Sequence, residues 1–283
     1  MTFTACPSEL RDHYLSERVV PFVGAGVSMS VGWTQGGVQK SGPSWAELVN
    51  QAALKLDFKD PELLRVRGTD LQILEYFKLK NSGQFASLTN WLYSEMRPPD
   101  ADLAKSRIHR ELANLSKCRI FYTTNYDDFL ERSFGLHKRP VRTIAVEADI
   151  AGPLSAPGTC EIVKFHGDLD HPDKMVLSES HYEKRLTLAS EMDYRLRSDM
   201  LGRVLLFLGY SFRDWNVSYI FRLINDIFHE LPSSITGRRA FITVPDPSDF
   251  EFQLFRARNI EVIPVDGKDQ AASISFLLSD MRR

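Results

Sequence analysis

Four short stretches of this sequence place small, polar or titratable residues directly after apolar runs: GAGVS at 24–28, TTNYD at 123–127, FHG at 165–167 and GYS at 209–211. Gly24, Ala25 and Gly26 follow VVPFV. Two glycines there permit a tight turn whose N–H groups can approach a pyrophosphate, and Ser28 adds a hydroxyl. A dinucleotide fingerprint wants a further glycine where this chain has Met29. The turn therefore reads either as a phosphate cradle or as a plain strand-to-helix turn. Thr123, Thr124, Asn125 and Asp127 follow CRIFY. Asn125 or Asp127 is either a ligand or the cap of a helix carrying Phe129, Leu130 and Phe134. His166 and Gly167 follow EIVKF, and Gly209, Ser211 and Asp214 follow VLLFL, where Ser211 and Asp214 also fit a helix cap. Of seven histidines only His166 both ends an apolar run and precedes glycine. Its ordinary pKa of ~6.5 suits proton transfer near neutrality.

Such residues meet only if the runs before them are neighbouring strands. VVPFVG (19–24), CRIFYTTN (118–125), EIVKFHG (161–167), RVLLFLGYS (203–211), RAFITV (239–244) and IEVIPV (260–265) are mostly continuously apolar. That pattern predicts parallel strands buried on both faces. Helical spacing lies between them. Ser44 and Glu47 form a capping box ahead of Leu48, Val49, Ala52 and Ala53. Val217 to Leu231 makes a stripe stopped by Pro232, and Ile274, Leu277, Leu278 and Met281 make a closing helix. The alternation predicts an α/β, doubly wound parallel sheet, with ligands at the carboxyl ends of its strands. Residues 48–117 contain no strong strand, and Phe85, Leu88, Leu92 and Met96 form one stripe. They read as a helical insertion or lid within a single domain spanning 1–283. GWTQGGVQKSG (32–42) reads as a mobile gate loosened by its glycines.

The chain has 283 residues, 43% hydrophobic and 25% charged, with net charge −2. No basic excess marks it as a nucleic-acid binder, and no direct nucleic-acid binding is expected. Cys6, Cys118 and Cys160 form no Cys-x-x-Cys pair. They fit a reducing compartment, so a cytoplasmic location is expected. The first residues lack a signal-peptide layout, and no apolar run approaches the ~20 residues that span a bilayer, so no membrane association is expected.

Together and in this order, GAGVS, TTNYD, FHG and GYS resemble the sirtuin family of NAD-consuming, Rossmann-like proteins, over residues 20–214. The departures are informative. The zinc module of deacylase sirtuins has no counterpart in the cysteine spacing. Thr124 stands where those enzymes carry glutamine, and PSWAEL (43–48) stands where they carry Asp-Phe-Arg. With VLSESHYEKR (176–185), the set is similar to the divergent bacterial sirtuin-like branch, whose members serve as NAD-cleaving effectors of antiphage defence.

That resemblance implies a Rossmann-like fold and an NAD glycohydrolase that yields nicotinamide and ADP-ribose, with NAD as substrate and no zinc. It implies that Asn125 orients the attacking water or the ribose hydroxyls. Neutral His166 would accept a proton, and Asp127 would contact nicotinamide or fix its loop. Gly24, Ala25, Gly26 and Ser28 would hold the pyrophosphate. Ser211 and Asp214 would lie near the adenosine ribose, with Thr124 and Gly209 completing the NAD-binding set. It further implies a homo-oligomer and a HerA-like ATPase partner. Two other readings stay open: an NAD-dependent protein deacylase, and a non-catalytic scaffold subunit that binds NAD or ADP-ribose.

Overall fold

Every side chain of strand β1 (Val19–Val23) is buried. Val19 and Val23 enter one apolar cluster, and Val20 and Phe22 enter another on the opposite face of the sheet. A strand alternates its side chains between faces, so one with no polar position must be covered on both sides. The computed structural model, which describes residues 4–58, 60–153, 155–187, 190–211 and 240–283, provides that cover.

The strands after β1 are β2 (Gly32–Gln35), β3 (Val38–Ser41), β4 (Ile120–Thr123), β5 (Val141–Ile144), β6 (Cys160–Lys164), β7 (Val204–Leu208), β8 (Ala240–Pro245) and β9 (Ile260–Val265). Seven of them form one sheet in the order β5-β6-β4-β1-β7-β8-β9, with every pair parallel. This is the expected doubly wound α/β, Rossmann-like sheet. The order reverses around β1, which has β4 on one side and β7 on the other. A crevice at the carboxyl ends is the consequence of that reversal.

Helix α1 (Ser8–Leu15) precedes β1, and seven described helices lie between β1 and β4: α2 (Ala25–Met29), α3 (Trp45–Lys55), α4 (Pro61–Arg65), α5 (Asp70–Lys80), α6 (Ala86–Glu95), α7 (Asp100–Leu103) and α8 (Arg107–Ala113). The remaining described helices are α9 (Phe129–Leu136), α10 (Glu147–Ile150), α11 (Glu179–Leu186), α12 (Glu191–Met200), α13 (Asp249–Arg256) and α14 (Gln270–Met281). Residues of α1, α8, α9 and α14 pack on one face of the sheet. Those of α12 and α13 pack on the other. A third cluster joins Leu48, Phe77, Leu88, Leu92 and Met96 to Phe129 and Leu177, and so fastens the α3–α6 helices to the sheet's upper edge.

All six expected strands are present. The seventh, β5, carries VRTI at the sheet edge, and three of its four positions are only half-buried, so it lacks a continuous apolar run. The capping box opens α3, with Glu47 N donating to Ser44 Oγ at 3.2 Å and Ser44 N donating to Glu47 Oε2 at 2.7 Å. Residues 32–41, read as a gate, form an antiparallel hairpin. Gly36 and Gly37 supply its two-residue turn at φ +59° and +81°, so their conformational freedom serves the turn. The helix expected over 217–231 lies outside the described residues. Cys6, Cys118 and Cys160 are buried free thiols, and burial pushes Cys6 up to about 12 and Cys160 up to about 11. Among the described residues, no helix is long and apolar enough to cross a membrane.

Candidate active site

The glycine turn leaves β1 and starts α2. Gly24 N donates to Leu208 O at 2.8 Å, and Gly26 N donates to Gly209 O at 3.0 Å. A Cβ on Gly24 would lie 2.8 Å from Gly209 O and 2.9 Å from the Tyr210 ring. Gly209 itself has φ +73°, and its Cβ would fall 2.6 Å from Val27 N. The end of β7 thus crosses directly over the start of α2, and only glycines fit there. That crossing forbids side chains at Gly24 and Gly26, and it engages both of their amides within the chain.

Tyr210 locks the crossing. Its hydroxyl donates to Val23 O at 3.0 Å and meets Thr124 Oγ1 at 2.9 Å. Three adjacent strand ends are thereby tied by one phenol. Asn125 and Asp127 stand beside it. Asn125 Nδ2 donates to Gly24 O at 3.0 Å and to Ser28 Oγ at 2.8 Å, and Ser28 Oγ donates to Asp127 Oδ2 at 2.8 Å. Asp127 Oδ1 accepts from Phe129 N at 3.1 Å, so Asp127 also tethers the start of α9. The residue at the helix N-cap position is Asp128, and Asp127 tethers the helix start from one residue earlier.

Beneath this network Lys164 is buried at the end of β6. Its Nζ donates to the Asp127 carbonyl and lies 3.5 Å from Glu131. Burial raises the Glu131 carboxyl above its usual range, against the pull of Lys164. A charge in an apolar core needs a partner. The lone lysine in EIVKF is thus explained by the loop it supports.

The hydrogen-bonded Ser28, Asn125 and Asp127 line a cavity of about 1000 Å³. Ala25, Ser28, Thr124, Asn125 and Asp127 form its strand-end wall, and exposed Ser211 lies at its edge. Trp45, Leu48, Leu71, Leu92 and Met96 form a facing apolar wall, built by α3, α5 and α6. A smaller cavity of about 470 Å³ shares Met96, Tyr126 and Asp127 with it and is ringed by Asp128, Glu131, Asp149, Asp168 and Asp170. Asp214 lies outside the described residues.

His166 is close to this cavity but not on its wall. Tyr182 of α11 lines the cavity and packs edge-on against the His166 ring, with centroids 5.4 Å apart. Burial, and then the nearby Arg185 guanidinium, hold His166 well below its usual pKa. The imidazole is neutral at physiological pH rather than poised near 6.5, and its Nδ1 makes no hydrogen bond. Arg185 in turn pairs with buried Asp193 at 3.1 Å and donates to the Phe165 carbonyl. His181 packs against Phe85 with ring centroids 5.9 Å apart, and burial lowers its pKa. His171 binds Asp168 at 2.8 Å, which raises its pKa.

The structure therefore brings Ser28, Thr124, Asn125 and Asp127 together, with His166 behind Tyr182. Sequence reasoning gave no role to Tyr182, Tyr210 or Lys164. Tyr182 and Tyr210 lie inside motifs that it quoted, and the lysine inside an apolar strand was a usable signal.

A family model described as SIR2-like domain matches residues 119–263. An NAD(+) hydrolase ThsA from Bacillus cereus (strain MSX-D12) is 24% identical over 261 residues, covering 89% of this chain and 49% of that protein. A protein of the same name from Enterococcus faecium is 32% identical over 212 residues, covering 73% of this chain and 39% of that one. The chain thus spans about half or less of the length of these curated relatives. A solved Sir2 enzyme overlays 98% of both chains at 12% identity with a TM-score of 0.45, a likeness too distant to carry an argument.

Proposed function

Since this chain belongs to the SIR2-like domain family, we propose that it hydrolyses NAD to nicotinamide and ADP-ribose, as an effector of antiphage defence that depletes NAD. One observation carries the reading: Asn125, Ser28 and Asp127 form a single buried hydrogen-bonded unit on the wall of a cavity at the strand ends. The names of the ThsA relatives agree with it.

The reaction breaks the bond between the ribose C1′ and the pyridinium nitrogen. Nicotinamide leaves with the bonding electrons and becomes neutral, so it needs little acid assistance. What the site must supply is stabilisation of an oxocarbenium-like centre and one positioned water. Asn125 Nδ2 is fully engaged, so Oδ1 is the atom it can offer to a ribose hydroxyl or to that water. The Asp127 carboxylate lies beside it and favours a cationic group. Water attack releases a proton, and neutral His166 can accept it once Tyr182 admits contact. The helices within 48–117 close the apolar side of the cavity as a lid, which keeps bulk water from the reacting centre.

The test is nicotinamide release from NAD by the purified chain, without acyl-peptide, beside Asn125→Ala and His166→Ala. Wild type should release nicotinamide, and His166→Ala should be about 10²–10⁴-fold slower. Undiminished cleavage by Asn125→Ala would overturn the assignment. A requirement for acetyl-lysine peptide would favour a deacylase, for which the apolar wall of Trp45, Leu48 and Leu71 gives specific support.

The same reading carries the expectations of a homo-oligomer, a HerA-like ATPase partner and a cytoplasmic location. An NADase needs restraint until infection, and a second subunit is the natural source of it. Light scattering and co-purification test both assembly expectations. The buried free thiols suit a reducing compartment.

A further inference from the structure

We propose that Ser28 is a positioning residue that fixes the Asn125 side chain, and not a ligand of the NAD pyrophosphate. The inference rests on the NAD-hydrolase reading for its kinetic arm alone.

A serine hydroxyl has one proton to donate. That of Ser28 goes to Asp127 Oδ2 at 2.8 Å, and the same oxygen accepts from Asn125 Nδ2 at 2.8 Å. A phosphate oxygen can only accept. To bind one, Ser28 would have to release Asp127. The phosphate would then sit against a buried carboxylate, and like charges at such a separation repel strongly in a low-dielectric site. Ser28 and Asp127 are each only 3% exposed, so solvent does little to screen that repulsion. The cationic nicotinamide end of NAD belongs beside this pair, and the pyrophosphate belongs elsewhere.

The bonds to Asn125 have a definite consequence. Its two Nδ2 protons go to Gly24 O at 3.0 Å and to Ser28 Oγ at 2.8 Å. Flipping the amide would set Oδ1 against the Gly24 carbonyl, acceptor against acceptor. The two bonds therefore fix both the plane of the amide and its orientation. With Ser28 removed, Gly24 O still prefers the nitrogen, but the plane is free to turn. The atom offered to the reacting ribose then loses its alignment, while the surfaces that bind the rest of NAD stay as they were. An error of about an ångström in such a group costs on the order of 10²-fold in rate.

The experiment compares wild type with Ser28→Ala, Ser28→Thr and Ser28→Cys by steady-state nicotinamide release, by calorimetric ADP-ribose binding and by hydrogen exchange of the Asn125 side-chain amide in NMR. The expected result for Ser28→Ala is kcat lower by about 10- to 100-fold, with KM and ADP-ribose affinity within about threefold of wild type. Its Asn125 amide protons should exchange faster. Ser28→Thr keeps the hydroxyl and should recover most of kcat. Ser28→Cys keeps the packing and weakens both bonds, so it carries the test if the alanine variant does not fold. A large rise in KM and loss of ADP-ribose affinity with kcat retained would overturn the proposal. If wild type releases no nicotinamide, the hydrolase reading fails by itself. Amide exchange then decides this one: faster exchange in the variant supports it, and unchanged exchange overturns it.

Discussion

Replacing Gly209 with alanine tests the crossing of β7 over α2 that builds the site. Gly209 has φ +73°, and an added Cβ would stand 2.6 Å from Val27 N. Two costs combine there. The left-handed backbone costs an L-residue about 1–2 kcal/mol. Forcing a methyl against backbone that cannot retreat adds about 1–3 kcal/mol. Gly202 separates them, because it has φ +74° with nothing within 4 Å of its Cβ position. Gly202→Ala should therefore cost only about 1–2 kcal/mol. Gly24→Ala is the complementary control, with an unstrained φ of −108° but Gly209 O at 2.8 Å. Urea unfolding followed by circular dichroism gives each free energy. Gly209→Ala should be the worst of the three, by about 1–3 kcal/mol over Gly202→Ala, a further loss of several degrees in Tm. Equal losses for Gly209→Ala and Gly202→Ala, or a neutral Gly24→Ala, would refute the close crossing.

Three other outcomes are expected. Burial alone holds His109 down to about 3, below the ~6.5 of an unfolded histidine, so the unfolded chain binds the proton first. Stability from this group is complete above about pH 6.5 and is lost as pH falls toward 3, at up to ~1.4 kcal/mol per unit. His109→Asn should flatten that acid loss in urea unfolding between about pH 7 and about pH 4.5, and identical slopes would count against it. Arg185→Ala leaves the Asp193 carboxylate buried without its cation, at a cost of about 3–5 kcal/mol. Removing Asp193 as well should recover part of the loss, and simple addition of the two losses would disprove the pairing. Tyr182→Ala should admit water to His166 and move its titration toward 6.5 in NMR, whereas an unmoved titration would show that Tyr182 does not screen it.

How much was legible in the sequence follows from the range of each interaction. Burial on both faces leaves a continuous apolar run, so β1, β4, β6, β7, β8 and β9 could be read directly. The edge strand β5 could not, because a strand covered on one side only leaves the short mixed run VRTI. The Ser44–Glu47 box was legible because both partners lie within one helical turn. The hairpin over 32–41 was hidden by its polar, exposed composition.

By itself the sequence determined the α/β class, six of the seven strands of the main sheet, and the presence of Asn125, Asp127, His166 and two glycine turns at strand ends. Periodicity and local spacing carry that information. Only the tertiary structure decided what the glycines are for, since the neighbour of Gly24 is Gly209 in the next strand of the sheet. It also decided that Ser28 is hydrogen-bonded to Asn125 and Asp127, and that the Tyr182 ring packs edge-on against His166. Gly24 and Ser28 lie far along the chain from Gly209 and Asn125, and they meet because β7 and β4 flank β1 in the sheet. A hydrogen bond depends on distances of tenths of an ångström, which no local pattern of residues encodes.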